Sequence, residues 1–404
     1  MTLNTFNAER LHALDNLRAV MMWLGIVLHV SVIYTYYPLP LPLPWHDTQT
    51  TLFADWLVAL IHNFRMPVFF ILAGFFVVLL AQRRGVKGML VNRLKRLSLP
   101  FVLLWPPIFV FMIVMVLVFA HRAARGTWGL DASLVSQNLR PGHPLDNTMH
   151  LWFLWMLSWF AIASALLAPL VRLVPQGLRA RLSGGFERVA GSSLGFVLLA
   201  LPLAWVGAHY KDGIVTTSGY FLAPWMEWVH NGLFFAFGLA LYAHRVRLFA
   251  LYQQRWRANA IAGFGLFSLV MLVKLLDRQG QLTIEPFWIA LCFNACTWLW
   301  SFSLIGVFLR FLGHKHPVLD YLSQSSYWVY VIHMPLTIGF GAVLYSLDIP
   351  ALVKIPVNIV LTTVFALLSY HLLVRSTALG SLLNGRRYPL TFFVRRVAVS
   401  RQAV

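Results

Sequence analysis

The chain has 404 residues, of which 59% are hydrophobic and only 11% are charged, against roughly 25% charged residues in an average soluble domain. This balance excludes an ordinary soluble protein and predicts an integral membrane protein. The net charge of +19 does not indicate a nucleic-acid partner, because basic cytoplasmic loops and their attraction to anionic membrane lipid account for it.

Ten apolar runs are long enough to cross about 30 Å of hydrocarbon as helices. They lie at 17–37, 52–80, 97–120, 150–174, 192–210, 223–243, 259–276, 284–309, 323–347 and 351–374. The sequence therefore predicts an all-α integral membrane protein with about ten transmembrane helices. We expect residues 1–375 to form this ten-helix domain and residues 376–404 to form a basic cytoplasmic tail.

The distribution of lysine and arginine predicts the orientation, because basic residues are retained on the cytoplasmic side. With a cytoplasmic N-terminus, 24 basic residues fall in inside segments and seven in outside segments. Both termini are therefore predicted to be cytoplasmic.

The first helix reads LRAVMMWLGIVLH at 17–29 and contains Arg18 and His29. In a helix these residues lie about 20° apart around the axis and about 16.5 Å apart along it. The spacing suits a long donor with an anionic head, such as acyl-coenzyme A, whose phosphates Arg18 would bind while His29 meets the acyl group. The alternative is an inner-leaflet anchor and an ordinary interior histidine.

The next two helices add further arginines. The second reads HNFRMPVFFILAGFF, with His62 and Arg65 three residues apart and Arg65 near the predicted midplane. A buried arginine requires a partner. The alternatives are one of the few acidic residues of the chain, a backbone carbonyl and the carboxylate of a ligand. Arg93 and Arg96 begin the third helix at the level of Arg18, where they would bind the donor phosphates or only set the topology.

The fourth and ninth helices carry the remaining polar candidates. HLWFLW places His150 and Trp152 at the outer mouth, where they would meet an acceptor or belong to the aromatic interface belt. Tyr330 and His333 lie three residues apart on one face of the ninth helix. The cysteines, Cys292 and Cys296, have no further metal ligands nearby, so no metal site is predicted.

The stretches LDNLRAVMMWLGIVLH, HNFRMPVFFILAGFF, NRLKR, HLWFLW and SSYWVYVIHMPL occur in this order over ten predicted helices. In this arrangement the chain resembles the membrane acyltransferase family 3, over roughly residues 11 to 375. The resemblance implies a multi-pass enzyme of the bacterial inner membrane that transfers an acyl group from cytoplasmic acyl-CoA to an acceptor outside. Within the family the likeness is to enzymes that succinylate osmoregulated periplasmic glucans.

The resemblance and the burial of the ring favour His29 as general base, because burial disfavours the charged imidazolium. A transient acyl-histidine is the alternative route. The expected donor is succinyl-CoA, with no bound cofactor. The expected partners are membrane lipid, a periplasmic glucan acceptor and glucan-synthesis proteins. The alternatives are an acetyltransferase of another envelope polysaccharide and a secondary transporter.

Overall fold

The computed structural model describes residues 3–37, 44–136, 147–314 and 316–390, and twelve α-helices follow one another within them. These are α1 (Leu3–Ile33), α2 (Leu52–Arg93), α3 (Leu99–Arg125), α4 (Ser133–Ser136), α5 (Trp152–Leu173), α6 (Gln176–Gly191), α7 (Gly195–Gly207), α8 (Trp225–Arg278), α9 (Pro286–Phe311), α10 (Pro317–Tyr345), α11 (Ala351–Ser369) and α12 (Ala378–Asn384). A 3₁₀ turn at Met149–Leu151 precedes α5.

The helices confirm an all-α, multi-pass membrane protein. In the described part of the chain, seven helical stretches are long and apolar enough to cross a membrane. The count rises to eight if α6 and α7, which meet at 106°, form one broken span. The predicted number of ten and the orientation of the termini stay predictions.

The stretch Leu52–Arg125 is one of the seven, yet its two ends lie side by side. Phe69 in α2 contacts Phe153 with ring centroids 5.1 Å apart, and Phe101 in α3 contacts Trp155 at 5.5 Å. A straight helix would separate Phe69 from Phe101 by about 48 Å. The chain therefore turns back between them, and Gly85 contributes to the turn with φ of 70°, a left-handed conformation that favours glycine.

Helix α8 also folds back on itself. A cytoplasmic loop was predicted at its middle, between the runs 223–243 and 259–276, and the structure has helix there instead. His230 Nε2 lies 3.3 Å from Asn294 Oδ1, and the Cys296 thiol donates to the Gly263 carbonyl at 3.2 Å. Asn294 and Cys296 are neighbours on α9, whereas a straight helix would place His230 and Gly263 about 50 Å apart. The two halves of α8 therefore both pack along α9.

The predicted fifth run, 192–210, corresponds to α7, which has only 13 residues. That length is below the about 20 residues of a full span. The preceding α6 carries several arginines and is largely exposed, so it does not extend the apolar run. The bend between α6 and α7 therefore replaces the single helix expected from the sequence.

Two glycines bring α2 and α8 into backbone contact. A Cβ at Gly74 would collide with the Phe235 carbonyl, and a Cβ at Gly238 would collide with the Ile71 carbonyl. Small residues at such crossings allow close helix packing in membrane proteins. The contact sets the upstream parts of α2 and α8 beside each other.

The structure describes the predicted tail from residue 376 up to residue 390. The segment after 375 contains α12, and the Asn384 amide donates to the Gln324 carbonyl at 3.0 Å. This part of the predicted tail therefore packs against α10. The rest, 391–404, lies outside the described residues, and the domain boundary stays a prediction.

Candidate active site

Three histidines from distant parts of the chain meet in the interior. His29 of α1 and His333 of α10 have ring centroids 5.1 Å apart, and His150 lies 5.3 Å from His333. His150 belongs to the 3₁₀ turn before α5, and Tyr330 contacts its ring at 5.8 Å. The structure thus brings together four predicted site residues that the sequence separates by as much as 300 positions.

Arg65 enters this cluster from α2 beside Gly25. A Cβ at Gly25 would lie 2.5 Å from Arg65 Nη1 and 3.3 Å from His333 Nε2. The missing side chain at Gly25 therefore makes room for the guanidinium next to the histidines. Gly25 was not among the predicted site residues, although its position one turn before His29 places both on the same face of α1.

Arg65 has no acidic partner among the residues that the structure describes, and its buried Nε makes no hydrogen bond there. None of the three acids that lie inside or beside the apolar runs, Asp55, Glu227 and Glu285, forms an ion pair with it in the described structure. Glu227 Oε1 accepts the Ser218 amide at 3.0 Å, and Glu285 occupies the N-cap position of α9. A buried arginine without a counter-ion is unfavourable, so the site is suited to an anionic ligand.

Hydrogen bonds determine the protonated nitrogen in two of the rings. His333 Nδ1 lies 2.7 Å from the Tyr330 carbonyl, and His150 Nε2 lies 3.0 Å from the Val331 carbonyl. A carbonyl only accepts, so these two nitrogens carry the protons. His333 Nε2 and His150 Nδ1 remain as buried acceptors, with no hydrogen-bond partner in the described structure.

His29 differs from the other two histidines because it is half-buried, whereas His150 and His333 are buried. Across the described ranges, neither carboxylate nor carbonyl forms a hydrogen bond with its ring. Asp15, four turns below, instead pairs with Arg18 at 3.3 Å. His29 is therefore the reachable imidazole of the cluster, and both of its ring nitrogens are available to substrate.

The predicted donor-binding arginines fall into two groups. Arg18 is half-exposed and lies 5.8 Å from the Phe76 ring, and Arg93 is close enough for the two positive charges to interact. Arg96 instead donates from Nη1 to the Ser381 and Leu382 carbonyls at 2.9 Å each. Arg96 thus binds the end of α12, and its role in donor binding stays a prediction.

His62 and Trp152, the other predicted acceptor residues, line a separate polar cavity of about 30 Å³ next to the cluster. Sequence reasoning did not identify most of its wall, which includes His230, Asn231 and Asn294. Part of this wall was readable in the sequence. Glu227, His230 and Asn231 have helical spacings of three and four, so they share one face of α8.

Throughout the ranges that the structure describes, no group of three or more histidine, cysteine, aspartate or glutamate side chains is arranged to hold a metal ion. Cys296 donates to a backbone carbonyl and packs between helices. Within the described residues, the arrangement offers buried acceptor nitrogens, one reachable imidazole and one guanidinium that has no acidic partner.

Comparison with known proteins identifies the family. Residues 11–371 match the family described as an acyltransferase domain. Glucans biosynthesis protein C of Escherichia coli (strain K12 / DH10B) is 25% identical over 355 residues, covering 84% of this chain and 85% of that protein. The proteins of the same name from Escherichia coli (strain SMS-3-5 / SECEC) and Shigella dysenteriae serotype 1 (strain Sd197) have the same identity and coverage. No solved structure matches the chain. Since the match covers most of its length, the chain belongs to the membrane acyltransferase family 3.

Proposed function

We propose that this chain is a transmembrane O-acyltransferase that moves a succinyl group from cytoplasmic succinyl-CoA to hydroxyls of a periplasmic glucan. The observation that carries the proposal is the convergence of the reachable His29 with Arg65, which has no acidic partner in the part of the chain that the structure describes. The family supports acyl transfer, and the name of the relatives, glucans biosynthesis protein C, supports a glucan acceptor.

The proposed topology has ten crossings, with both termini in the cytoplasm of a bacterium and the protein in the inner membrane. The folding back of the two long helical stretches supports this number, because each then supplies two crossings instead of one. With α6 and α7 counted as one broken span, the helices give ten. The basic residues of the predicted inside loops support the orientation.

The donor enters from the cytoplasmic side. Arg18 and Arg93 bind the phosphates of the nucleotide head through charge-assisted hydrogen bonds. The pantetheine arm follows α1 toward His29, about 16.5 Å further along the helix. The two arginines repel each other in the absence of an anion, and a polyphosphate between them removes that repulsion.

The transfer step uses His29 as general base. The ring accepts the proton of an acceptor hydroxyl while the hydroxyl oxygen attacks the thioester carbonyl carbon. The carbon–sulfur bond then breaks, and the leaving thiolate takes the proton from His29. The products are a succinyl ester and free coenzyme A. The Arg65 guanidinium binds the far carboxylate of the succinyl group during this step.

A thiol-release assay tests this function. Detergent-purified protein is mixed with succinyl-CoA, and free coenzyme A is measured with and without glucan. We expect glucan-dependent release that falls by about 10²- to 10⁴-fold in His29→Ala. His314→Ala, an exposed histidine in the loop between α9 and α10, is the matched control and retains the rate. A secondary transporter would release no thiol from either protein.

A further inference from the structure

The polar cavity beside the histidine cluster contains two buried oxygen acceptors without donors. Glu227 Oε2 and Asn63 Oδ1 make no hydrogen bond with the described residues, although the two residues are only 2% and 1% exposed. Both side chains line the same cavity between α2, α8 and α9. Unsatisfied buried acceptors are costly, so the cavity is suited to a ligand that donates hydrogen bonds.

The remaining wall is held in place by its own hydrogen bonds. His230 Nε2 donates to Asn294 Oδ1 at 3.3 Å, and the Asn294 amide nitrogen donates to the Ala290 carbonyl at 2.8 Å. The Asn63 amide nitrogen donates to the Phe293 carbonyl at 2.9 Å. These bonds direct the nitrogen donors into the protein, which leaves the free oxygens of Glu227 and Asn63 for a ligand.

The size and position of the cavity restrict the ligand. The cavity has a volume of about 30 Å³, above the roughly 10–15 Å³ that one water molecule requires, so it admits a small hydroxyl-bearing group. His62 lies in the cavity wall and is close enough to Arg65 for their charges to interact. A group in the cavity is therefore adjacent to the reacting cluster.

We infer that this cavity is the subsite for a hydroxyl-bearing carbon of the carbohydrate acceptor, with Glu227 and Asn63 as its hydrogen-bond acceptors and Trp152 beside it. The inference rests on the proposed function and adds the residues that recognise the acceptor. The bound hydroxyl donates to the Glu227 carboxylate, and this contact holds the rest of the sugar so that a neighbouring hydroxyl reaches His29. Glu227 is thus a positioning residue.

The test is Glu227→Gln, which keeps the side-chain volume, leaves a carbonyl for the Ser218 amide and removes the charged acceptor. We expect the KM for glucan to rise by about tenfold to a hundredfold, because hydrogen bonds to charged groups are among the stronger ones. The KM for succinyl-CoA should not change. Glu187→Gln, which alters an acid of α6 paired with Arg247, is the matched control and leaves both constants unchanged.

A binding measurement separates this inference from the proposed function. Calorimetric titration of the purified proteins with a short glucose oligomer, without donor, should show binding to the wild type and at least tenfold weaker binding to Glu227→Gln. Thr217→Val removes a hydroxyl from the same cavity without changing its shape, and we expect a smaller loss. Equal affinities in the wild type and Glu227→Gln, or no binding to the wild type, would overturn the inference, even if thiol release proved the acyl transfer.

Discussion

Replacing Arg65 with methionine should change which donor the protein uses. The substitution keeps most of the volume beside Gly25 and removes the guanidinium that lies 2.5 Å from a Cβ placed there. In the wild type, we expect a succinyl carboxylate to form a bidentate pair with this group. An acetyl group ends in a methyl and leaves the guanidinium buried and unpaired.

The size of the preference for the succinyl donor follows from the number of hydrogen bonds between its carboxylate and Arg65. Two charge-assisted hydrogen bonds of about 1.5–3 kcal/mol each give about 3–6 kcal/mol in favour of the succinyl donor. This difference corresponds to about 10²- to 10⁴-fold in relative kcat/KM. Arg65→Met should remove most of that preference, mainly by lowering succinyl transfer, because the methyl-ended donor never used the guanidinium.

The assay compares glucan-dependent thiol release from succinyl-CoA and acetyl-CoA in the wild type, Arg65→Met and the exposed control Arg83→Met. Arg83→Met should keep the wild-type preference. An equal fall for both donors in Arg65→Met would refute the carboxylate assignment. A wild type that prefers acetyl-CoA would refute it as well.

Four further changes test other contacts. Gly25→Ala should displace Arg65 and lower kcat for succinyl transfer at least tenfold while the protein still purifies, since overpacking costs about 1–3 kcal/mol. Arg18→Gln should raise the KM for whole succinyl-CoA but not for a pantetheine thioester. An equal rise in both KM values would show that Arg18 only sets the topology. Arg96→Gln should instead lower thermal stability by detaching α12, with little change in either KM. Lys354→Met should destabilise the protein by about 3–5 kcal/mol, because the buried carboxylate of Asp47, 2.9 Å from the Lys354 ammonium, loses its counter-ion. A thermal unfolding temperature equal to that of the wild type would contradict this.

The residues of the cluster were predictable because charged and polar groups are rare inside apolar helices. His29, His62, Arg65 and His333 each interrupt a run that otherwise suits lipid, and each lies in or beside the observed cluster. The helical period also placed Tyr330 and His333 on one face. Rarity and periodicity are local signals, so one sequence was enough to find these side chains.

Long-range packing was not predictable in the same way. The room for Arg65 depends on an absent side chain at Gly25, and glycine is common in membrane helices for many reasons. Arg96 resembles Arg93 in the sequence, but the carbonyls that it binds belong to α12, almost 300 residues away. The 106° bend between α6 and α7 was missed because a hydropathy pattern shows how long an apolar run is and not whether the chain changes direction within it.

Buried ion pairs were hidden for a related reason. Lys354 was counted among the outside basic residues, yet it is fully buried and donates to Asp47 at 2.9 and 3.1 Å. Its partner lies in the connection between α1 and α2, and a single sequence carries no sign of that pairing. Charge counts predict the side of the membrane, whereas contacts between distant segments decide which charges are solvated.

Sided transfer is the most direct test of the central claim, that His29 acts as general base in the transfer of an acyl group from a cytoplasmic donor to an outer acceptor. Right-side-out membrane vesicles containing the protein are loaded with isotope-labelled succinyl-CoA, and glucan is added outside. The account predicts labelled glucan outside and free coenzyme A inside, with both signals lost in His29→Ala and retained in His314→Ala. Label on the glucan at the wild-type rate in His29→Ala, or transfer only when donor and glucan share one side, would contradict it.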